Sequence, residues 1–126
     1  METMRVLDLS LKHRWYDMIA SGEKTEEYRD IRPYYANRLL YGCSLGVKQY
    51  WEEVFANAQT KEWFKPEMWL RDYGSRFYDA VRFHRGQGSP VTMLFEYEGL
   101  AIGKGKTEWG APEDKEVFII KLGKRL

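Results

Sequence analysis

The sequence predicts a single α+β domain, and three observations lead to this fold class. The chain has 126 residues, which is enough to bury one modest core. Several stretches alternate apolar and polar residues at period two, a pattern typical of half-buried strands. Between them lie stretches whose apolar residues recur at helical spacing. A hydrophobic content of 44% and an aromatic content of 16% suit a globular protein rather than a disordered one.

The first third of the chain predicts strand, helix, strand and helix. Residues 5–12 carry leucine at every second position, which indicates a strand with one buried face. Apolar residues at helical spacing follow, and Gly22 stands where a helix C-terminal cap is expected. An extended segment is predicted over 24–31. Pro33 then opens a second helical stretch.

The middle and last thirds differ in their periodicity. An aromatic segment over 45–76 repeats its apolar residues at helical spacing and predicts helices. The last third predicts strands near 78–85, 91–98 and 116–122. The run Val-Phe-Ile-Ile within 116–122 indicates a strand buried on both faces. Because closure removes exposed strand edges, we expect the five strands to form one barrel with the helices outside it.

Composition excludes several classes of function. The formal net charge is +1, so nucleic-acid binding would have to come from a local basic patch. The single cysteine, Cys43, precludes an internal disulfide and fits a reducing compartment. No run of 18 apolar residues and no signal-peptide pattern occur, which predicts a cytoplasmic protein without a membrane partner. His13, His84 and Cys43 lack ligand spacing, so we expect no metal site and no cofactor.

The stretch from Gly22 to Arg29 contains the spacing G-x-K-x-x-E-x-R, which we call the motif. It places Lys24, Glu27 and Arg29 at the junction between the first helix and the following strand. A lysine beside a glutamate can act as a base or nucleophile if burial lowers its pKa. An arginine offers a planar fork for phosphate or a base edge. The alternative is a surface ion-pair ladder that contributes little energy.

Two further groups of residues are candidates for ligand binding. Arg82 and His84 alternate with apolar neighbours and could contact phosphate or shuttle a proton, or they could form an exposed polar strand face. Trp109 follows a glycine-rich basic stretch and could stack on a base, or it could cap the core. A nucleotide P-loop is not supported there, because Leu100 stands where its first glycine is required.

The motif and the segment from Leu9 to Gly22 that leads into it resemble the ASCH domain, a member of the PUA-like group of small β-barrels associated with RNA. The resemblance covers residues 4–42 most firmly and 78–122 more loosely. The stretch from Ile102 to Gly110 resembles the phage and bacterial subgroup. The resemblance implies a PUA-like barrel of five to six strands flanked by helices, in which 45–76 is a helical insertion.

The resemblance also implies a function. In ASCH proteins the motif positions line a cleft between barrel and helices. Relatives with threonine at the position of Glu27 are amidohydrolases that cleave N4-acylated cytidines. Relatives with glutamate are inferred to bind RNA.

We therefore expect RNA or a modified nucleotide to bind in this cleft. Two alternatives remain: an amidohydrolase acting on an N-acylated nucleoside, and a protein–protein adaptor that uses the aromatic segment. The oligomeric state is left open. The expected catalytic residues are Lys24 and Glu27, and the expected ligand-binding residues are Gly22, Arg29, Arg82, His84 and Trp109.

Overall fold

The structure, a computed structural model, describes residues 3–40 and 74–126, together with Glu52 and Ala56. Apart from Glu52 and Ala56, the described part contains five strands and two α-helices, and a short 3-10 helix, Thr107–Trp109, precedes the last strand. The strands are β1 (Val6–Leu11), β2 (Glu26–Arg29), β3 (Ala80–Arg85), β4 (Thr92–Lys104) and β5 (Glu116–Arg125). The helices are α1 (His13–Ser21) and α2 (Pro33–Leu39).

All five strands belong to one mixed sheet with the order β1-β3-β4-β5-β2. β1 and β3 are parallel, whereas the other three pairings are antiparallel. The predicted α+β class and the five predicted strands are confirmed. Because β1 and β2 lie at opposite ends of the order, the N-terminal third supplies both edges of the sheet.

One face of the sheet carries the core. Leu7 and Leu9 of β1 lie opposite Val81 and Phe83 of β3, and all four side chains are buried. The Phe83 ring also meets Phe95 of β4 edge to face, with ring centroids 6.1 Å apart. Buried side chains of both helices belong to the same cluster: Tyr16, Ile19, Ala36 and Leu39. The period-two leucine pattern in residues 5–12 therefore marks the core-facing side of β1.

The ends of both helices follow from local sequence. Gly22 caps α1 in the left-handed conformation, with φ 87°, and its N–H donates to the Ile19 carbonyl. Pro33 occupies the first turn of α2, where its missing N–H costs nothing. Both features match the sequence prediction.

β4 is longer than the predicted strand 91–98. The register shifts between Phe95 and Tyr97 and again between Tyr97 and Gly99, after which pairing with β5 continues to Lys104. A bulge of this kind inserts residues into one strand and breaks the period-two pattern, although the strand itself goes on. The predicted strand 91–98 therefore stops short of the end of β4 at Lys104.

The sheet curls strongly, although among the described residues no backbone pairing joins β1 to β2. In a flat sheet the two edge strands would lie roughly 19 Å apart, beyond the reach of any side chain. Here Arg29 Nη2 on β2 donates to the Ser10 carbonyl on β1 at 2.9 Å. Arg38 Nη2 from α2 donates to the Asp8 carbonyl at 3.0 Å. Two arginines thus occupy carbonyls of β1 and protect this edge from pairing with another chain.

The predicted helical insertion over 45–76 lies outside the described residues, apart from residues 74–76, Glu52 and Ala56. Glu52 and Ala56 are helical, whereas residues 74–76 are not. The described helices are too short and too polar to span a bilayer.

Candidate functional site

The Lys24 amine lies in an enclosed pocket of aromatic and oxygen groups. Its Nζ is 4.9 Å from the ring centroids of both Trp15 and Tyr28. It lies 3.2 Å from Glu27 Oε1 and donates to the Trp109 carbonyl. Lys24 is only 2% exposed. The ammonium is therefore satisfied by one carboxylate, one carbonyl and two ring faces, in place of water.

The turn after Gly22 aims Lys24 into this pocket. The Lys24 N–H donates to the Met18 carbonyl at 3.1 Å, which holds the turn against α1. Lys24 precedes the first residue of β2, so strand alternation does not set its direction. The structure thus brings Lys24 and Glu27 to one place, whereas an ideal strand would have placed them on opposite faces.

Glu27 joins Lys24 to Arg29. Its Oε2 accepts from Arg29 Nη2 at 2.7 Å, and its other oxygen faces Lys24. Glu27 is 6% exposed and lies opposite Ile120 of β5, a member of the core cluster. The carboxylate is therefore on the core-facing side of the sheet, between two cations.

Arg29 completes the network on the other side. Beyond Glu27 and the Ser10 carbonyl, its Nη1 donates to the Tyr35 hydroxyl at 3.0 Å. Burial would lower the pKa of Arg29, but the Glu27 carboxylate and the Tyr35 hydroxyl together outweigh it and raise the pKa. The guanidinium is therefore held as a cation, and it ties β2 to α2 and to β1.

The pKa of the motif lysine shifts in the opposite direction to that of Arg29. Loss of water lowers the pKa of Lys24 below its ordinary value, and the Glu27 charge opposes this only in part. A buried ion pair is weak evidence for stability, because desolvation offsets its attraction. Buried, paired ionisable groups with shifted pKa values occur preferentially at functional sites.

The loop that carries Trp109 is fitted closely onto β2. A Cβ at Gly105 would lie 2.6 Å from Tyr28 Cε1, so only glycine fits there. The Tyr28 hydroxyl accepts from the Lys106 N–H at 3.1 Å and donates to Glu26. Burial raises the pKa of Tyr28 to about 12, which keeps this hydroxyl protonated near neutral pH.

Two cation–aromatic pairs lie around the pocket. The Lys106 ammonium is 4.1 Å from the Trp109 ring centroid. The Arg14 guanidinium is 4.6 Å from the Trp15 ring centroid. Trp15 also packs beneath the loop, because a Cβ on Gly110 would lie 3.0 Å from its ring. Arg14 and Lys106 are exposed, and both tryptophans are half-buried.

The structure unites some of the predicted site residues and separates others. Lys24, Glu27, Arg29 and the Trp109 backbone form one network, and Gly22 is the exposed cap that turns the chain towards it.

Arg82 and His84 lie elsewhere. They alternate with core residues of β3, which places them on the face of the sheet opposite the core. The expectation that they border the same cleft as the motif is therefore corrected.

Arg82 and His84 share a partner that the sequence prediction missed. Asp8 Oδ1 lies 3.3 Å from Arg82 Nη1 and 2.8 Å from His84 Nε2. The other ring nitrogen of His84 is 3.3 Å from the Ser89 carbonyl oxygen. Since both nitrogens face protein oxygens, this arrangement fits a structural link between β1 and β3 better than a proton shuttle. Their predicted role in ligand binding stays a prediction.

Three aromatic residues of the site were also missed. Trp15 and Tyr35 lie in segments whose spacing predicts helices, and Tyr28 occupies a variable motif position, so the sequence pattern singles out none of them. Within the described ranges, no group of three acidic, histidine or cysteine residues could hold a metal ion.

Comparison of the chain with protein-family models, with curated proteins and with solved structures gives no match.

Proposed function

We propose that this chain is a PUA-like domain of the ASCH type that binds RNA or a modified nucleotide beside the motif. The strong curl of the sheet supports the barrel part of this proposal. Arg29 bridges the gap between β2 and β1 at the position where a barrel would close. The motif lies at the α1–β2 junction and begins with the glycine that caps α1, and this placement supports the assignment to the ASCH type.

The observation that carries the function is the connected Lys24–Glu27–Arg29 network. It runs from the loop carrying Trp109, through the core-facing side of β2, to Tyr35 of α2. Enclosing three charged groups carries a free-energy penalty for their desolvation, and an apolar core would avoid this penalty. The Lys24–Glu27–Arg29 network holds aromatic and cationic side chains in fixed positions at the surface.

In this proposal the motif residues do not themselves contact phosphate. Lys24 and Arg29 point inward, so they position the site rather than form its surface. Trp109 offers a ring on which a base can stack, and Lys106 and Arg14 offer charge for phosphate. The overall charge of +1 makes any such binding a local property of this surface.

Trp109→Ala tests the proposal directly. It removes the ring but keeps the backbone carbonyl that accepts from Lys24, so the network remains. Binding of a fluorescein-labelled single-stranded RNA of about ten nucleotides is measured by anisotropy. Stacking is worth about 1–3 kcal/mol per base, so affinity should fall at least several-fold, while Trp109→Phe should retain most of it.

Salt dependence and stability complete this test. Phosphate contacts require affinity to fall steeply between roughly 50 mM and roughly 200 mM salt. Urea unfolding of both variants shows whether a loss of binding merely reflects loss of fold. A wild-type protein that fails to bind RNA at the lower salt, or Trp109→Ala with unchanged affinity, contradicts the proposal.

A second candidate, an amidohydrolase, is favoured by one observation: the lowered pKa of the enclosed Lys24 amine beside a carboxylate. In its neutral form the amine could take a proton from water. The resulting hydroxide would attack the acyl carbon, the C–N bond would break, and the leaving amine would receive the proton, giving a carboxylic acid and a free amine. This requires the Trp109 loop to open, because Lys24 is buried.

Incubation with N4-acetylcytidine, followed by mass spectrometry, tests this candidate. The product would be cytidine, and Lys24→Met should abolish its formation, whereas Trp109→Phe should not. No turnover by the wild-type protein contradicts the hydrolase proposal without affecting the RNA-binding one. A cytoplasmic location, consistent with a single cysteine, remains part of the proposal.

A further inference from the structure

A second basic and aromatic surface lies at α2, where four side chains cluster: Arg32, Tyr34, Tyr35 and Arg38. We call these four residues the α2 patch. Tyr34 and Tyr35 meet edge to face with ring centroids 5.0 Å apart. The Arg32 guanidinium lies 4.9 Å from the Tyr35 ring centroid, and the Arg38 guanidinium lies 5.7 Å from that of Tyr34.

The arginines of the α2 patch have no acidic partner among residues 3–40 and 74–126. Among the described residues, Arg38 donates to two neutral oxygens, the Asp8 carbonyl and the Tyr34 hydroxyl. Arg32 is exposed, and Tyr34 is 58% exposed. A guanidinium stacked on a ring keeps its in-plane N–H groups available, and these match the geometry of a phosphate.

Tyr35 connects the α2 patch to the motif. Burial would raise the pKa of Tyr35, but hydrogen bonding and charge from Arg29 and then Arg32 outweigh it and lower the pKa. The hydroxyl of Tyr35 therefore accepts from Arg29, and the Arg32 guanidinium lies over the ring of the same tyrosine. Through Arg29 and Glu27, the same network reaches Lys24 and the Trp109 loop.

We infer that the α2 patch is a second contact surface for single-stranded RNA, with Arg32 and Arg38 binding phosphate and Tyr34 stacking on a base. Arginines that have no acidic partner among the described residues, beside an exposed ring, are complementary to a flexible chain that carries both phosphates and bases. The exposed tyrosine can reach a base only if that base is free of a duplex stack. This inference rests on the proposed RNA binding and extends it from the Trp109 loop to α2.

The experiment compares exposed-residue variants in the same anisotropy titration. Tyr34→Ala should weaken binding about 5- to 150-fold, since it removes one stacking contact. Arg32→Ala should weaken it and make the slope of log K against log salt shallower by about 0.7, the value expected for one phosphate of a single strand. Arg32→Lys keeps the charge and should restore the slope. Lys121→Ala, an exposed cation on β5, serves as the matched control and should change neither quantity.

The outcomes separate this inference from the proposed function. If Trp109→Ala weakens binding while Tyr34→Ala and Arg32→Ala match the control, RNA binding stands and the α2 patch is not part of it. If the wild-type protein binds no RNA, both proposals fail. If double-stranded RNA of the same sequence binds as tightly and with the same sensitivity to Tyr34→Ala, the stacking role of Tyr34 is wrong. Unchanged urea unfolding curves for Tyr34→Ala and Arg32→Ala establish that the fold is intact.

Discussion

Replacing Gly105 by alanine should destabilise the domain, because the structure has no room for a methyl group there. A Cβ at Gly105 would lie 2.6 Å from Tyr28 Cε1 and 2.8 Å from the Ala111 Cβ. Non-bonded carbon atoms prefer separations of about 3.5–4.0 Å. The Tyr28 ring is held at its hydroxyl by Glu26 and Lys106, so it cannot move aside freely. Overpacking of this kind costs about 1–3 kcal/mol of unfolding free energy.

Gly103→Ala is the matched control, because Gly103 lies near the end of β4, two residues before Gly105. The nearest atom to a Cβ there is Ile119 Cδ1 at 3.8 Å, which is an ordinary contact. Positive-φ strain is not an issue at either glycine, so alanine fits both backbones. Each substitution also restricts the unfolded chain, which stabilises by about 0.4–1 kcal/mol. Because this gain is common to both variants, the difference between them measures the clash at Tyr28.

Urea unfolding monitored by circular dichroism gives the two free energies. Gly105→Ala should be less stable than Gly103→Ala by at least about 1 kcal/mol, and its melting temperature should be lower by roughly 2–8 °C for each kcal/mol lost. Equal stability of the two variants would refute the close fit of the loop against Tyr28. Contact with Tyr28 would then not hold the Trp109 loop in place.

Two further predictions concern the motif lysine and the core. Burial lowers the pKa of Lys24 from its ordinary value of 10.5, so the unfolded chain binds this proton more strongly than the folded one. The wild-type protein should therefore gain stability relative to Lys24→Met as the pH rises towards 10.5. Urea titrations at a series of pH values below 10.5 give the free energy of unfolding of both proteins, and a difference that does not change with pH would contradict this prediction. Phe83→Ala removes a fully buried ring and should cost about 3–5 kcal/mol, whereas Phe77→Ala, at 64% exposed, should change stability by less than about 0.5 kcal/mol. Similar losses in these two variants would mean that the core is wrongly placed.

The sequence predicted local structure well where one physical cause dominates. The leucine alternation before Leu11 marks a strand with one buried face, and Gly22 and Pro33 mark helix ends through their backbone preferences. The Val-Phe-Ile-Ile run is buried throughout, as expected for a strand covered on both faces. The bulge near Gly99 interrupts the alternation that reveals a strand, so the second half of β4 was missed.

The site was predicted less completely, because its members come from distant segments. The spacing of the motif pointed to Lys24, Glu27 and Arg29, and the structure joins them through a single carboxylate. Trp109 was predicted from its glycine-flanked loop, but its contact with the motif is made by a backbone carbonyl, which carries no residue-specific signal. Asp8 looked like an ordinary polar position of a strand until the parallel register placed it opposite Arg82.

The sequence alone determined where strands and helices form and which face of each is apolar, because periodicity and end residues act within a few positions of the chain. Only the tertiary structure decided which polar side chains meet. The β1-β3-β4-β5-β2 order and the curl of the sheet bring Arg29 to Ser10, and they put Arg82 and His84 on the other face. The turn at Gly22 turns Lys24 inward against Glu27. Such contacts depend on register, sheet curvature and close approach, and these are set by packing between segments far apart in sequence.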